Sequence, residues 1–466
     1  MNSSRLSLLS LCVLLAACAS QTPESTLPAA PAQWQGQPAS PAAIADGPWW
    51  QAFASPQLDL LIEQARNNSF DLAAAMARVR QAQASAVIAG APLLPEVKFG
   101  LDASRQRLLH GNGYNGIDAS SSERTYTSYG SALSASYEVD FWGGKAAARD
   151  SALHSLDASR FDRQTVELTL FSGVASSYLQ SLALVEQLEI ARLNLTNARD
   201  VLKLVQTRHD AGSATALELA QQRSLVAAQE RQVPLLEQQL QDTRITLATL
   251  LGEPVQQLPA SGEHFESIHW PEIGTGVPSD LLGRRPDIAA AEARMAAAQA
   301  NVQVARAAML PSLTLGTTFG SGAQIFDQIL RSPYYSLTAG LAAPIFNNGR
   351  LKAERDKASA EQEELLELYR GSIVAAFGDV EKALNGIGGV DRQRQWQDEE
   401  VRQARTAFEL AESRYRAGAE TLLTVLETQR TLYQAQDQQV QLRLARVQGS
   451  VALYKALGGG WQVVSR

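Results

Sequence analysis

The apolar positions of this chain alternate between two periods. From Asp71 to Pro95, DLAAAMARVRQAQASAVIAGAPLLP, they recur with helical spacing, and Asp71 stands where the dipole of a starting helix favours a carboxylate. After Leu94-Pro95 the period falls to two. Val97, Phe99 and Leu101 alternate with Lys98, Gly100 and Asp102, and further on Leu133, Ala135, Tyr137, Val139 and Phe141 alternate with small or polar neighbours. The helical period then returns and persists for more than a hundred residues. The pattern predicts strands over about 95–107, 126–141, 311–321 and 334–346, and helices over about 70–92, 143–211, 214–251, 287–309, 349–417 and 420–457. A shorter amphipathic helix is expected over Leu58 to Ala65, after the Pro48-Trp49-Trp50-Gln51 start of ordered structure.

The succession occurs twice. Residues 71–95 align without gaps on residues 287–311, DIAAAEARMAAAQANVQVARAAMLP, with 13 of 25 identical at an offset of 216. Thr207 to Glu230 and Ser413 to Asp437 are a second matching pair: each has a basic residue, an Ala-Gly, then Gln-Arg-(Ser/Thr)-Leu opening a Gln/Ala-rich helix. Gly212 and Gly418 are the residues expected where a helix ends in a left-handed conformation and the chain reverses, so each marks a hairpin tip. From Gly143 to Gly212 is 69 residues, and from Gly349 to Gly418 is again 69. A helix of that length reaches on the order of 100 Å, far more than a globular domain needs. Leu184, Leu188, Ala191, Leu195, Ala198, Leu202 and Val205, and likewise Val401, Ala404, Phe408, Ala411 and Tyr415, alternate spacings of four and three as coiled-coil seams do. Two features break the symmetry. Pro234 should kink the first return helix, and Asn385-Gly386-Ile387-Gly388-Gly389 should interrupt the second long helix.

The pattern gives a chain that is mainly α with an internal structural duplication, and its strands admit a transmembrane β reading. A first repeat spans 48–254, a compact connector 255–286, a second repeat 287–458 and a short tail 459–466. The strands have the length that crosses a bilayer when tilted. Four of them cannot close a lumen, and open edges are not tolerated in lipid, so a spanning barrel has to be pooled from several copies. Read by pattern alone, the strands fit half-buried hairpins of a water-facing domain slightly better. The Gly/Ser/Asn-rich link from Leu108 to Thr125, longer than that from Ser321 to Pro333, suits one exposed face.

Composition narrows the function. Charged residues are 19% and the net charge is −7, which argues against nucleic acid as a partner. The two cysteines, Cys12 and Cys18, lie in the first twenty residues, so the body has neither an internal disulfide nor a thiolate metal site, and the five scattered histidines form no metal motif. No cofactor is expected. No nucleophile elbow or phosphate loop is present either, so an enzyme is not expected. No apolar run after the leader is long enough for a membrane-spanning helix. Residues 1–17 have the layout of a secretory signal peptide: Arg5, an apolar run, and small residues before Cys18. Residues 20–46, rich in Pro, Ala, Ser and Gln, read as a tether that does not fold.

Leu15-Ala16-Ala17-Cys18 resembles a lipoprotein lipobox, which implies a lipidated Cys18 at the mature N-terminus. Each buried methylene of an acyl chain adds roughly 0.8 kcal/mol to its hold on lipid. With Ala19 following, the resemblance favours the outer membrane. Together with PWWQ from Pro48, YEVDFWG from Tyr137, DLLGRRPD from Asp280, PIFNNGR from Pro344 and RYRAG from Arg414, the chain resembles the TolC-like outer-membrane factors of the NodT lipoprotein branch. The resemblance implies a homotrimer with a twelve-stranded outer-membrane barrel, four strands per chain, continued by a long periplasmic α-helical barrel with an equatorial belt. It implies a passive exit duct joined by a periplasmic adaptor to an inner-membrane efflux transporter. It also implies a periplasmic gate at the hairpin tips, carried onto Leu423 and Glu427, where three converging Glu427 carboxylates would favour cations. Some relatives have an acid where Thr424 stands and a basic residue where Glu420 stands, the latter closing the gate through the position of Glu218. Here Glu420 beside Glu218 would repel, which leaves Arg414 or Arg416 as substitutes. A different reading, a lipoprotein whose coiled coil braces the envelope without transport, also accounts for Cys18 and the heptads but not for the paired strands.

Overall fold

The computed structural model describes residues 28–36, 47–107, 109, 125–259 and 261–460. The expected signal peptide, Cys18, most of the tether, nearly all of the long first strand link and the tail beyond residue 460 lie outside the described residues. The chain divides into two units, Met1–Ala30 and Pro31–Arg466. Of the first, only residues 28–30 are described, and they are irregular. All elements belong to the second.

Helix α1, Pro56–Asn68, starts at Ser55, whose hydroxyl accepts the Leu58 N–H at 3.1 Å, with Pro56 in the position where its missing N–H costs nothing. Helix α2, Phe70–Gly90, follows, then strands β1, Glu96–Arg107, and β2, Thr125–Val139, the long helix α3, Gly144–Asp210, and its return α4, Ala216–Leu251. The second repeat has the same order: α5, Pro286–Ala307; β3, Ser312–Ala323; β4, Pro333–Ala342; α6, Arg350–Arg416; and α7, Leu422–Ala456. Both long helices have 67 residues, and both start from a left-handed glycine, Gly143 at φ 70° and Gly349 at φ 81°. Asp140 completes the first start by accepting the N–H groups of Lys145 (3.0 Å) and Ala146 (2.8 Å).

The strands form one antiparallel sheet in the order β1-β2-β3-β4. The duplication holds residue by residue. From Glu96 to Arg105, adding 216 to a β1 residue and 206 to its β2 partner gives a β3–β4 pair, so that Glu96↔Ser136 becomes Ser312↔Ala342. The register also sorts the two faces. Phe99, Leu133, Phe319 and Tyr335 form one row across all four strands, while the adjacent row on the opposite face is Lys98, Ser134, Thr318 and Ser336. The apolar row is bare: Phe99 is 67% exposed, Phe319 63% and Tyr335 77%. Among the described residues, the outer edges of β1 and β4 are unpaired.

The main core gathers Phe53, Leu58, Ile62, Leu179, Leu182 and Leu251, with Trp49 stacked on Tyr454 at 5.4 Å. The connector is sewn onto it. Glu263 accepts the Ser55 and Tyr178 hydroxyls at 2.5 and 2.8 Å, Phe265 and Ile268 enter the core, and Arg394 stacks on Trp270 at 3.6 Å. Burial and the Glu263 carboxylate push the Tyr178 phenol up to about 12, although hydrogen bonding to Ser261 works against this. A second cluster toward the hairpin ends contains Val201, Val205, Val401, Phe408, Tyr415, Val425 and Leu426.

Four expectations are corrected. First, α6 runs unbroken through Asn385–Gly389. An interior glycine costs about 1 kcal/mol relative to alanine, but Leu384 and Ile387 are buried there, and helical stability in proteins comes mainly from such packing. Pro234 stands inside α4 on its exposed face, where a proline can bend a helix without ending it. Second, β4 stops at Ala342, short of Ile345, because Pro344 has no N–H for the ladder. Third, the tether is not wholly unfolded. Trp34 is buried, and its indole N–H reaches the carbonyls of Thr275 (3.4 Å) and Gly276 (3.2 Å). Fourth, α3 contains an 18-residue window apolar enough to cross a membrane by length and composition, yet 61% of it is buried. The seams are also refined: the second is buried throughout, whereas in the first Leu195 and Leu202 are half-buried and Asn194 and Val201 take the inner positions.

Candidate functional site

The two hairpin tips are built alike. At the first, the N–H groups of Ala211, Gly212 and Ser213 fold back to the carbonyls of Thr207, His209 and Arg208, with Gly212 at φ 75°. At the second, Ala417, Gly418 and Ala419 bond back to Ser413, Tyr415 and Arg414, with Gly418 at φ 76°. A Cβ on either glycine would meet nothing, so the backbone angle and not the space demands glycine.

The return helices then start differently. Thr215 and Glu218 form a reciprocal capping box: the Glu218 N–H donates to the Thr215 hydroxyl at 3.1 Å, and the Glu218 carboxylate accepts the Thr215 N–H at 2.6 Å. In the second tip Thr424 takes the place of that acid, and Thr421 caps it at 3.4 Å. Glu420 fills in from outside the helix. It accepts from the Thr421 N–H and the Thr424 hydroxyl, both at 3.1 Å, and Arg414 lies 3.7 Å away. Those two hydrogen bonds, then Arg414, hold the Glu420 carboxyl below its ordinary range. Arg416 pairs with Glu412 at 2.6 Å. Each acid expected to confront the other is therefore bonded within its own tip, and the expected substitutes are engaged within theirs.

Leu423 and Glu427 lie one turn apart on the exposed face of α7, Leu423 at 56%. Buried Leu422, Val425, Leu426 and Gln429 hold the opposite face against the tip cluster, which fixes where the exposed pair points. Sequence reasoning missed what joins the tips within one chain. The Arg208 guanidinium donates to the Tyr415 carbonyl at 2.9 Å and lies 4.6 Å from the Tyr415 ring centroid. The available signal was position: Arg208 stands four residues before Gly212, as Arg414 stands before Gly418. Further along the hairpins, the Tyr433 hydroxyl donates to the Asn194 carbonyl at 2.9 Å, Gln187 to Asp437 at 2.7 Å and Arg443 to Glu186 at 2.8 Å. These polar links tie α7 to α3, and none of them requires Leu423 or Glu427.

The family model described as outer membrane efflux protein matches residues 61–253 and 277–459, one stretch per repeat. The chain is 71% identical over 461 residues to the pyoverdine export outer membrane protein OpmQ of Pseudomonas putida strain KT2440, covering 99% of this chain and 98% of that protein. It is 62% identical over 464 residues to the protein of the same name from Pseudomonas aeruginosa strain PAO1, with the same coverage. Among solved structures, the outer-membrane channel OprN matches with a TM-score of 0.86 at 27% identity, covering 94% of this chain and 99% of that one.

Proposed function

Because the chain belongs to the outer membrane efflux protein family and is an outer-membrane channel component of an efflux system, we propose that three copies close into one passive exit duct for pyoverdine. The observation that carries the pore is the sheet, with one apolar face bare, one polar face and two unpaired edges. In water that face would be costly, whereas against lipid it is matched, and lipid in turn forbids the open edges. Twelve strands from three copies remove the edges and leave the polar row inside.

The helices support the same closure. α5 packs against both α3 and α6, but its counterpart α2 packs mainly along α3, with no second long helix against it to match among the described residues, and leaves Phe70, Val87 and Ile88 exposed. By the internal duplication, the missing neighbour of α2 is α6 of another copy. The cargo reading is supported by the two relatives named for pyoverdine export, whose identity extends over 99% of the chain. In this reading Cys18 is lipidated, Leu423 and Glu427 ring the periplasmic gate, and Glu218 sets the first tip beside it. The tips meet a periplasmic adaptor that joins the duct to an inner-membrane transporter. The duct performs no chemistry of its own.

The test is a strain lacking this chain but retaining its pump. Pyoverdine is expected to fall in the medium and accumulate in the periplasm, and to recover on complementation. Unchanged secretion would remove the cargo assignment, and purified protein that conducts no ions in a planar bilayer would favour the non-transporting structural reading.

A further inference from the structure

The apolar face of β1 changes chemistry at the end remote from the helices. Val97, Phe99, Leu101 and Ala103 share that face, and the next two positions on it are Arg105 and Arg107, opposite Thr127 and Thr125 of β2. Their counterparts in β3, by the offset of 216, are Ser321 and Ala323, so the duplication does not account for the charge. Both arginines are exposed, and among the described residues neither pairs with a carboxylate. Asp102, the nearest acid of the strand, lies on the other face across Gly130, where an added Cβ would come within 2.5 Å of its carboxylate. Nine steps separate Glu96, where the strand leaves the helices, from Arg105. On a strand tilted about 40° they rise roughly 23 Å, close to the height of the apolar band of a membrane barrel. Arg105 thus stands at the outer rim of that band and Arg107 just beyond it.

The link between β3 and β4 folds onto the same corner. Phe326 meets the Tyr129 ring edge-on at 5.6 Å, and Tyr129, opposite Ala103, is the diagonal cross-strand neighbour of Arg105 on the apolar face. Ile325, Phe326 and Leu330 are 57%, 68% and 78% exposed, so the link presents an apolar wedge beside the arginines. Asp327 and Arg331 of the link balance each other in charge, which leaves the corner with the positive charge of Arg105 and Arg107.

We propose that this corner binds the phosphorylated sugar headgroup of an outer-leaflet glycolipid of the lipid A type, with Arg105 and Arg107 on a phosphate and the Ile325–Leu330 wedge against the first methylenes of the acyl chains. The proposal rests on the duct reading above, which sets this face in lipid. A guanidinium fork matches phosphate oxygens two at a time, and beside hydrocarbon such charge-assisted bonds are stronger than in water. Standing about 7 Å apart on one face, the two arginines can hold one phosphate from both sides. A second copy is not the occupant, because copies in a closed ring meet at strand edges and not on this face.

Native mass spectrometry of the purified full-length protein, supplied with one lipid at a time, tests the site. Diphosphorylated lipid A is expected to be retained at least about tenfold more strongly than the same lipid stripped of its phosphates, and than phosphatidylglycerol. Arg105→Gln with Arg107→Gln is expected to abolish that preference, lysine at both positions to keep only part of it, and Phe326→Ser to weaken retention of lipid A with or without phosphates. Lys98→Gln removes a cation from the opposite face and should leave the preference intact. The double glutamine variant should still conduct in a planar bilayer as wild type does, which separates a lost site from a lost fold. Equal retention of lipid A with and without phosphates would overturn the proposal and leave the lipid-facing sheet in place, and phosphatidylglycerol held as strongly as lipid A would overturn the choice of a glycolipid. Wild-type protein that keeps no lipid and inserts into no bilayer would tell against the duct reading, and the proposal would fall with it.

Discussion

Glu427 sits on the exposed face of α7, on the side away from buried Val425 and Gln429 and one turn from Leu423. In the proposed ring of three copies its carboxylates would face one narrow passage, where like charges attract cations and resist anions. Replacing Glu427 by alanine is expected to lower the cation-over-anion permeability ratio several-fold, read as a shift of reversal potential toward zero across a salt gradient in a planar bilayer. An unchanged ratio would remove Glu427 from the gate while leaving the duct intact. Glu420 does not share this role. Its hydrogen bonds to Thr421 and Thr424 make it part of the helix start, taking over where the first tip uses Glu218 within the helix.

At the scale of elements, the duplication predicts a contact between copies. β2 pairs β3 with Ser134 opposite Thr318. Carrying each residue to its counterpart in the other repeat, by the same 206 and 216 that relate β1–β2 to β3–β4, puts Gly340 of one copy opposite Asp102 of the next. Cysteines at these two positions are expected to link neighbouring copies on mild oxidation, giving covalent dimers and trimers on a denaturing gel. A cysteine pair at Gly340 and Ser104, two residues out of register, should give little product. The experiment has a clean background, because the chain carries no cysteine beyond Cys18. Much of this element structure was legible in the sequence. The change of period at Leu94-Pro95 and the paired Gly212 and Gly418 are local signals, and they located the strands, long helices and tips. Two kinds of information were not local. Burial of Leu384 and Ile387 keeps α6 helical across its glycines, and the carbonyls of Thr275 and Gly276 fix Trp34 from some 240 residues away in the chain. The Arg208–Tyr415 contact was hidden for the same reason, since its partners come from different repeats.

At the scale of the whole molecule, membrane insertion depends on the row of Phe99, Leu133, Phe319 and Tyr335 meeting lipid. A lysine at Phe319 is expected to cost roughly 2–4 kcal/mol near the bilayer centre and to reduce the assembled species in the outer-membrane fraction, while a lysine at Thr318, on the opposite face, should assemble nearly normally. Equal recovery of the two variants would mean that the apolar row does not face lipid.

The bare row also governs the time before assembly. A freshly exported copy has to cross an aqueous compartment with Phe99, Phe319 and Tyr335 wetted and two strand edges open to any passing backbone. Its lifetime there is set by a race between meeting two siblings at the bilayer and sticking to the wrong neighbour. Supply must therefore be metered or the nascent chain shielded, and overproduction should fail first as precipitate and not as misdelivered pores.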